Sequence, residues 1–506
     1  MKKVKAFVPI IVLISCLFAL TSCERNFLSV TDPNRVTTAL FWKTEADAKA
    51  AILTAYSKLQ TFQADWDEWG PNELLLATPN LRGDETKLMV SWGYYTREYT
   101  FRPRSTDYQT YGIWGDYYSV IDRANLVLEN VPGMSIDATV KNQVLGEAEF
   151  LRALSNFFLV NYYGNIVLRT SVPKNPEDYY KAQSPKADVY AQIEADLNDA
   201  ITNLPQSWPA DDAGRATKGA ATGLLGKVYL YEKKWSQAET EFKKVTMMGY
   251  SLVSNYASLF DGTNENSSES LFEIQFSADK SGGRIEYWGV PDVVRPDQDF
   301  FLRPSDWLHS LYMSDTTATG QKSSRVYGSI VFNDTNSTIY YFNGKSYAQF
   351  MTDLGMTSLL NKSVFRKYAT WDPSWGVDAY FNGVNYPVLR YADVLLMLAE
   401  ALNEQGKTAE AIPYVNEVRN RAGSVPTGAM TQAQLRDHLQ NVERPLELGL
   451  EGNRFFDLVR WGIVQSAFQA HNRDYATNFR PGIDEIWPIP STEFDVNPKI
   501  VQNPGY

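Results

Sequence analysis

The stretch VERPLELGLEGNRFFDLVRWG, Val442 to Gly462, gathers Glu443, Glu447, Glu451 and Asp457 among Arg444, Arg454 and Arg460. Carboxylates at this density could do general acid–base work, or they could be the ion pairs of a scaffold. Glu443, Glu447 and Glu451 recur every four residues, which places them on one helical face. Arg444, Arg454 and the neighbouring Arg419 and Arg421 would be their partners. Gly452 and Asn453 then interrupt the pattern, and Phe455, Phe456, Leu458 and Trp461 give the next helix an apolar side. The reading favoured is a structural salt-bridge cluster.

Other residue types capable of chemistry are sparse. The three histidines, His309, His438 and His471, stand far apart and outside any HExxH or His/Cys ligand spacing, so no metal site or histidine triad is expected. No GxSxG elbow, P-loop or dinucleotide fingerprint occurs, and no cofactor is expected. DGTNENSSES at Asp261 carries oxygen side chains, but Gly262 comes too early for an EF-hand loop, and a solvated loop is the better reading. A glycosidase pair is defined by separation in space, so the many carboxylates keep a surface glycoside hydrolase open as an alternative.

The beginning of the chain constrains where the protein works. Lys2, Lys3 and Lys5 precede an apolar run from Ala6 to Leu20, which is too short to span a bilayer and reads as an export signal over residues 1–22. Leu20-Thr21-Ser22-Cys23 resembles a lipobox, with Cys23 the lipidated residue of the mature chain. Cys16 leaves with the signal, so no disulfide is expected and stability must come from packing. Removing residues 1–22 takes three lysines and no acid, leaving 45 basic and 59 acidic side chains, a formal balance of −14. Such a surface repels phosphate backbones, which argues against nucleic acid as a partner.

The elements that would position a site are mostly helical. Residues 23–44 read as an extended arm. Apolar periodicity then predicts helices over Glu45 to Gln60, Tyr108 to Asn130, Lys141 to Tyr163 and Lys186 to Asn203, the first capped by Thr44 with Asp47. Leu225-Gly226, Tyr229, Ala238 and Phe242 reproduce the spacing of a tetratricopeptide helix pair, and Leu398, Ala399, Leu402, Ala411 and Val415 repeat it. In the first pair Gly226 would admit the second helix while Tyr229 and Phe242 fill the groove. Between about 251 and 387 the composition shifts to Gly, Asn, Ser, Asp and aromatics. Runs such as SLFEIQFS, STIYYFNG and SVFRKY suggest short strands among long loops, which in a helical protein are usually functional. The chain therefore reads as a mostly α fold over 45–506, with a scaffold from about 45–250 and 388–465 carrying a loop-rich insertion. Prolines in the closing DEIWPIPSTEFDVNPKIVQNPGY forbid a continuous helix there.

Taken together, FWKTEADAKAAILTAY, EAEFLRALSNFFLVNYYGNIVL, ATKGAATGLLGKVYLYEKKW, LRYADVLLMLAEALNEQG, AIPYVNEVRNRAG, ERPLELGLEGNRFFDLVRWG and IWPIPSTEFDVNPKIVQNPGY resemble the SusD/RagB outer-membrane lipoproteins. The resemblance implies tetratricopeptide-type hairpins beneath a loop-rich binding face, a lipid anchor at the cell surface, and a SusC-like TonB-dependent β-barrel as partner. It implies capture of glycans, or of peptides in the RagB branch, without catalysis. One departure is that Glu24 is followed by Arg25 and Asn26, where surface-exposed members often carry acids after the lipidated Cys.

Sugars lay their C–H faces on aromatic rings and offer hydroxyls to charged and amide groups. The stacking candidates are Trp66, Trp92, Tyr94, Tyr287, Trp288 and Trp307, with Asp65, Asp67, Arg284 and Asp306 as polar neighbours. Trp371 and Trp375 are further alternatives. Against each aromatic stands core packing, since a Trp or Tyr buries about 150–250 Å² and usually does so inside.

Overall fold

A computed structural model describes residues 41–60, 78–89, 93–276, 302–334, 345–368 and 383–506. Its first helix, α1 (Glu45–Gln60), begins where Thr44 and Asp47 cap each other: the Thr44 amide donates to the Asp47 carboxylate at 2.7 Å, and the Asp47 amide to the Thr44 hydroxyl at 3.2 Å. There follow β1 (Thr86–Leu88), α2 (Gly93–Tyr99), α3 (Tyr108–Asn130), α4 (Ala138–Tyr163), α5 (Lys186–Asn203), α6 (Lys218–Tyr231) and α7 (Trp235–Thr246). Helix α4 starts three residues before the expected Lys141, because the Asp137 carboxylate accepts from the amides of Thr139 and Val140 and fixes the N-terminus there.

Each long helix packs on its neighbours in sequence: α1 on α3 and α4, α4 on α5, α5 on α6, and α6 on α7. Small residues set the close crossings. On α6, Gly219, Gly223 and Gly226 share one face; a Cβ there would meet Tyr250, Leu271 and Leu389, and Phe242 respectively. At Gly226 the contact would be 2.6 Å from the Phe242 ring, so the expected role of this glycine is what the packing requires.

Helix α7 does not pack on the next stretch of chain. It packs on α11 (Tyr391–Glu404), which pairs in turn with α12 (Thr408–Ala422), so the array of hairpins resumes on the far side of the insertion. Leu398, Ala399, Leu402, Ala411 and Val415 are all fully buried in this second pair. The ends of the insertion are joined by the antiparallel strands β2 (Ser270–Ile274) and β6 (Tyr386–Arg390), with Ser270 opposite Arg390 and Ile274 opposite Tyr386.

The insertion contains β3 (Leu302–Pro304), α8 (Asp306–Ser314), α9 (Ser324–Ser329), β4 (Ile330–Phe332), α10 (Tyr347–Asp353) and β5 (Ser363–Phe365). Strands were expected at SLFEIQFS and SVFRKY and are found there, while STIYYFNG lies outside the described residues. The three short helices were not expected. Each is six to nine residues long, too few turns for apolar periodicity to register, and α8 and α10 announce themselves only by their serine caps.

The chain ends with α13 (Gln432–His438), a π-helical turn (Leu439–Glu443), α14 (Arg444–Leu448), α15 (Arg454–Trp461), α16 (Val464–Ala470), and a proline-punctuated tail holding α17 (Ser491–Val496). The tail is tied to the first half of the chain. Trp487 is fully buried, its amide donates to the Tyr162 carbonyl at 2.7 Å, and its indole N–H donates to Glu98 at 2.9 Å. Further on, the Asn503 amide group donates to the carbonyls of Tyr163 and Trp487.

Candidate functional site

Among the described residues, two groups are weighed as carriers of the function, and the acidic stretch at 442–462 is the first. Glu443, Glu447 and Glu451 do converge, but the cations around them come mainly from elsewhere in the chain. Arg390 reaches Glu269 at 2.8 Å, Glu447 at 2.7 Å and Glu451 at 2.7 Å. Arg325 and Arg419 each hold Glu443 at 2.6 Å, Arg421 pairs with Glu447, and Lys367 holds Glu451 at 2.6 Å. Arg419 and Arg421 are thus partners as expected, whereas Arg444 and Arg454 are not. Arg444 binds Asp393 and Asp457, and Arg454 binds Asp84. The reason is local: α14 stops at Leu448, Leu450 takes a left-handed conformation at φ 67°, and the helical register relating Glu447 to Arg454 is lost.

The cluster has the electrostatics of a scaffold. All of these carboxylates are buried. Burial by itself would raise Glu443 and Glu447, but the surrounding guanidiniums outweigh it and hold Glu447 down to about 2 and Glu443 lower still. A general acid would need the opposite displacement, toward its working pH. Asp84 and Glu85 are pushed apart, Asp84 downward by Arg454 and His471 against its burial, and Glu85 upward to about 8 by burial. Both are sealed inside, so neither can reach a substrate. Among the described residues no three His, Cys, Asp or Glu side chains gather closely enough to hold a metal.

The second group is an open cleft of about 420 Å³, and it contains two residues singled out from sequence, Asp306 and Trp307. Strands β1 and β3 pair antiparallel, Thr86 opposite Pro304 and Leu88 opposite Leu302, and Ser305 extends the pairing by donating its amide to the Glu85 carbonyl at 2.8 Å. The Ser305 hydroxyl then accepts from the Leu308 amide and starts α8, which puts Asp306 and Trp307 in the first turn. The Trp307 ring lies flat on His471, centroids 3.7 Å apart and planes 9° from parallel.

His471 is itself fixed. Its Nδ1 stands 2.8 Å from Asp84 Oδ2; because Asp84 is held ionised, the carboxylate accepts and Nδ1 carries the proton. Asp84 also takes both arms of Arg454, whose guanidinium carbon is 5.0 Å from the Trp307 ring centroid. Arg473, buried, ties this turn down by donating to the carbonyls of Leu81, Gly83 and Tyr99. Asn472 and Tyr475 on either side adopt left-handed backbone at φ 51° and 58°. Such strain is held in place only by a surrounding structure that over-determines it.

Across the cleft, Lys87 meets Asp474 at 3.2 Å and the Tyr99 hydroxyl donates to the same carboxylate at 3.1 Å. Asp306, more than half exposed, accepts from Arg303 and Lys362, each at 3.0 Å. The result is an aromatic plane with carboxylates, an ammonium and hydroxyls beside it. That arrangement suits a polyhydroxylated ligand with an apolar face.

Of the other residues named from sequence, Tyr94 is half-buried in α2, its ring 4.5 Å from that of Tyr95, and it does not line the Trp307 cleft. Asp65, Trp66, Asp67, Trp92, Arg284, Tyr287, Trp288, Trp371, Trp375 and Cys23 lie outside the described residues. Lys87, Tyr99, His471 and Asp474 were not singled out; His471 carried no ligand spacing, and only the tertiary fold brings it under Trp307.

Comparison with known proteins decides the family. Residues 268–506 match the SusD family, and residues 38–230 match a family described as starch-binding and associating with the outer membrane. The chain belongs to the SusD/RagB family. A SusD-like protein of Formosa agariphila is 27% identical over 98% of this chain and 99% of its own. A SusD superfamily structure from Bacteroides vulgatus superposes with a TM-score of 0.79 at 26% identity, covering 92% of this chain and all of the other. A laminarin-binding SusD-like protein superposes with a TM-score of 0.73 at 27% identity over the same shares. The SusD fold expected from sequence is therefore the fold observed, within a family of carbohydrate-binding proteins.

Proposed function

We propose that this SusD-like protein is a non-catalytic, lipid-anchored receptor that captures oligosaccharides at the cell surface and passes them to a SusC-like TonB-dependent transporter. In this reading residues 1–22 are a cleaved signal, Cys23 carries the lipid, 23–44 form an arm, and 45–506 make one ligand-binding domain. The observation that carries it is the Trp307 ring, backed by His471 and flanked by Lys87, Asp306 and Asp474 in an open cleft. Laminarin binding by a similar protein supports a glycan as ligand.

The test is calorimetric titration of the full chain, in non-ionic detergent, against a broad panel of polysaccharides and peptides. Trp307→Ala is expected to weaken the bound glycan by about 2 kcal/mol, roughly thirtyfold in Kd, as for a central aromatic contact. Binding of peptides with no glycan bound would replace this reading with the RagB-type one. New reducing ends appearing in the bound polysaccharide, and lost on removing one acid, would replace it with hydrolysis.

A further inference from the structure

A second, larger cleft, about 700 Å³, opens beside the first and differs from it in charge. It is lined by Arg102, Arg104 and Arg480 together with Asn478, Gln502 and the ring of Tyr506. Arg102 and Arg104 are exposed, and neither side chain meets a carboxylate among the described residues, although the chain as a whole has a formal charge of −11. The nearby acids are already engaged. Asp484 holds Arg480 at 2.7 Å, and Asp107 pairs with Arg97 while accepting the Arg104 amide at 2.8 Å. Arg480 in turn lies over the Tyr506 ring at 5.2 Å, which keeps its guanidinium at the cleft.

Both clefts are built on the same two stretches of chain. Tyr99 lines the first and Phe101 the second; Asp474 lines the first and Asn478 the second. Four residues of chain span at most about 14 Å, which bounds the separation of the two clefts where Asp474 and Asn478 line them. Phe101, a bulky residue at φ 56°, turns the chain at the boundary and directs the 102–106 loop into the second cleft.

We propose that the arginine cleft is an anion subsite of the same ligand-binding face, and that it selects saccharides bearing carboxylate or sulfate groups. This rests on the glycan reading above. Guanidinium forks match planar and tetrahedral oxyanions with paired, charge-assisted hydrogen bonds, while Tyr506 offers a ring and Asn478 and Gln502 offer amides to the sugar that carries the charge. Two arginines that meet no carboxylate among the described residues also draw the anionic segment of a chain into register.

The experiment titrates the full chain with alginate oligosaccharides for the carboxylated class, heparin oligosaccharides for the sulfated class, and laminarin oligosaccharides as the neutral control, at low and high salt. The expected result is that one anionic class binds about tenfold or more tighter than the neutral one at low salt, with the advantage shrinking as salt rises. Arg102→Gln with Arg104→Gln, at exposed positions, is expected to remove that advantage while unfolding temperature and neutral binding stay unchanged. Arg102→Glu with Arg104→Glu should invert it. Equal affinity for all three classes, or an anionic preference that survives both double variants, overturns the proposal. If laminarin binds and is lost in Trp307→Ala while no anionic preference exists, the glycan reading stands and this subsite alone falls. If no saccharide of any charge binds while peptides do, both fall.

Discussion

Residues 84 and 85 sit side by side in one interior and are driven in opposite directions, because Arg454 and His471 face the first carboxylate while little answers the second. Glu85 is pushed up to about 8 by burial, with Asp84 adding to the effect and Arg454, Lys367 and the Leu450 amide, which donates to it at 3.2 Å, opposing it. Its folded value lies above the unfolded one, about 4.3. Between those values the folded state holds a proton that the unfolded state has released, so stability falls as pH rises through the window from about 5 to 8. Glu85→Gln, neutral at every pH, should remove that slope. Urea midpoints at pH 5 and pH 8 are expected to show the variant gaining on the native protein toward pH 8, by on the order of 2–4 kcal/mol. No pattern in the sequence separates Glu85 from Asp84. The acids of 442–462 were legible as structural because their spacing is helical, yet Arg390, which binds three of the buried carboxylates, was not foreseen as a partner. Trp307 could be picked from composition and Asp306 from adjacency. His471 could not, since a planar contact between distant residues leaves no trace in spacing.

Helices were the most readable elements, for a physical reason. Over Glu45–Gln60, Tyr108–Asn130 and Lys186–Asn203 the apolar stripe persists for four or more turns, and observed and expected bounds coincide. In the insertion the strands are three to five residues long and the helices barely longer, so little periodicity exists to read. Gly226 shows how specific the hairpin signal is. Alanine is the better helix former by about 1 kcal/mol, but its Cβ would stand 2.6 Å from the Phe242 ring, and overpacking costs about 1–3 kcal/mol. Gly226→Ala is expected to lower the denaturation midpoint despite its helical advantage. Introducing it into a Phe242→Leu background should cost markedly less, and equal losses in both backgrounds would show that the ring is not the obstacle.

At the scale of the molecule, the insertion splits an array of helical hairpins without breaking it, since α7 packs directly on α11 and the strands β2 and β6 close the gap. Loops of the insertion can then vary in length while the scaffold stays whole. The tail ties the two halves of the scaffold together a second time. Trp487 is packed edge-on against Tyr162 and beside Phe455 and Phe456, with the Arg82 guanidinium 3.9 Å from its ring centroid. Trp487→Ala should cost about 3–5 kcal/mol. Hydrogen exchange is expected to show protection lost at Tyr162 and in the 78–101 segment as well as in the tail. Loss confined to residues near 487 would mean that the tail is an appendage.

The same buried indole sets a schedule. Glu98 and the end of α4 lack these partners until Trp487 and Asn503 have left the ribosome, so the early helices cannot complete their packing before then. For a chain threaded through a membrane in extended form, as the signal proposed over residues 1–22 would require, such late locking keeps the earlier segments open during passage.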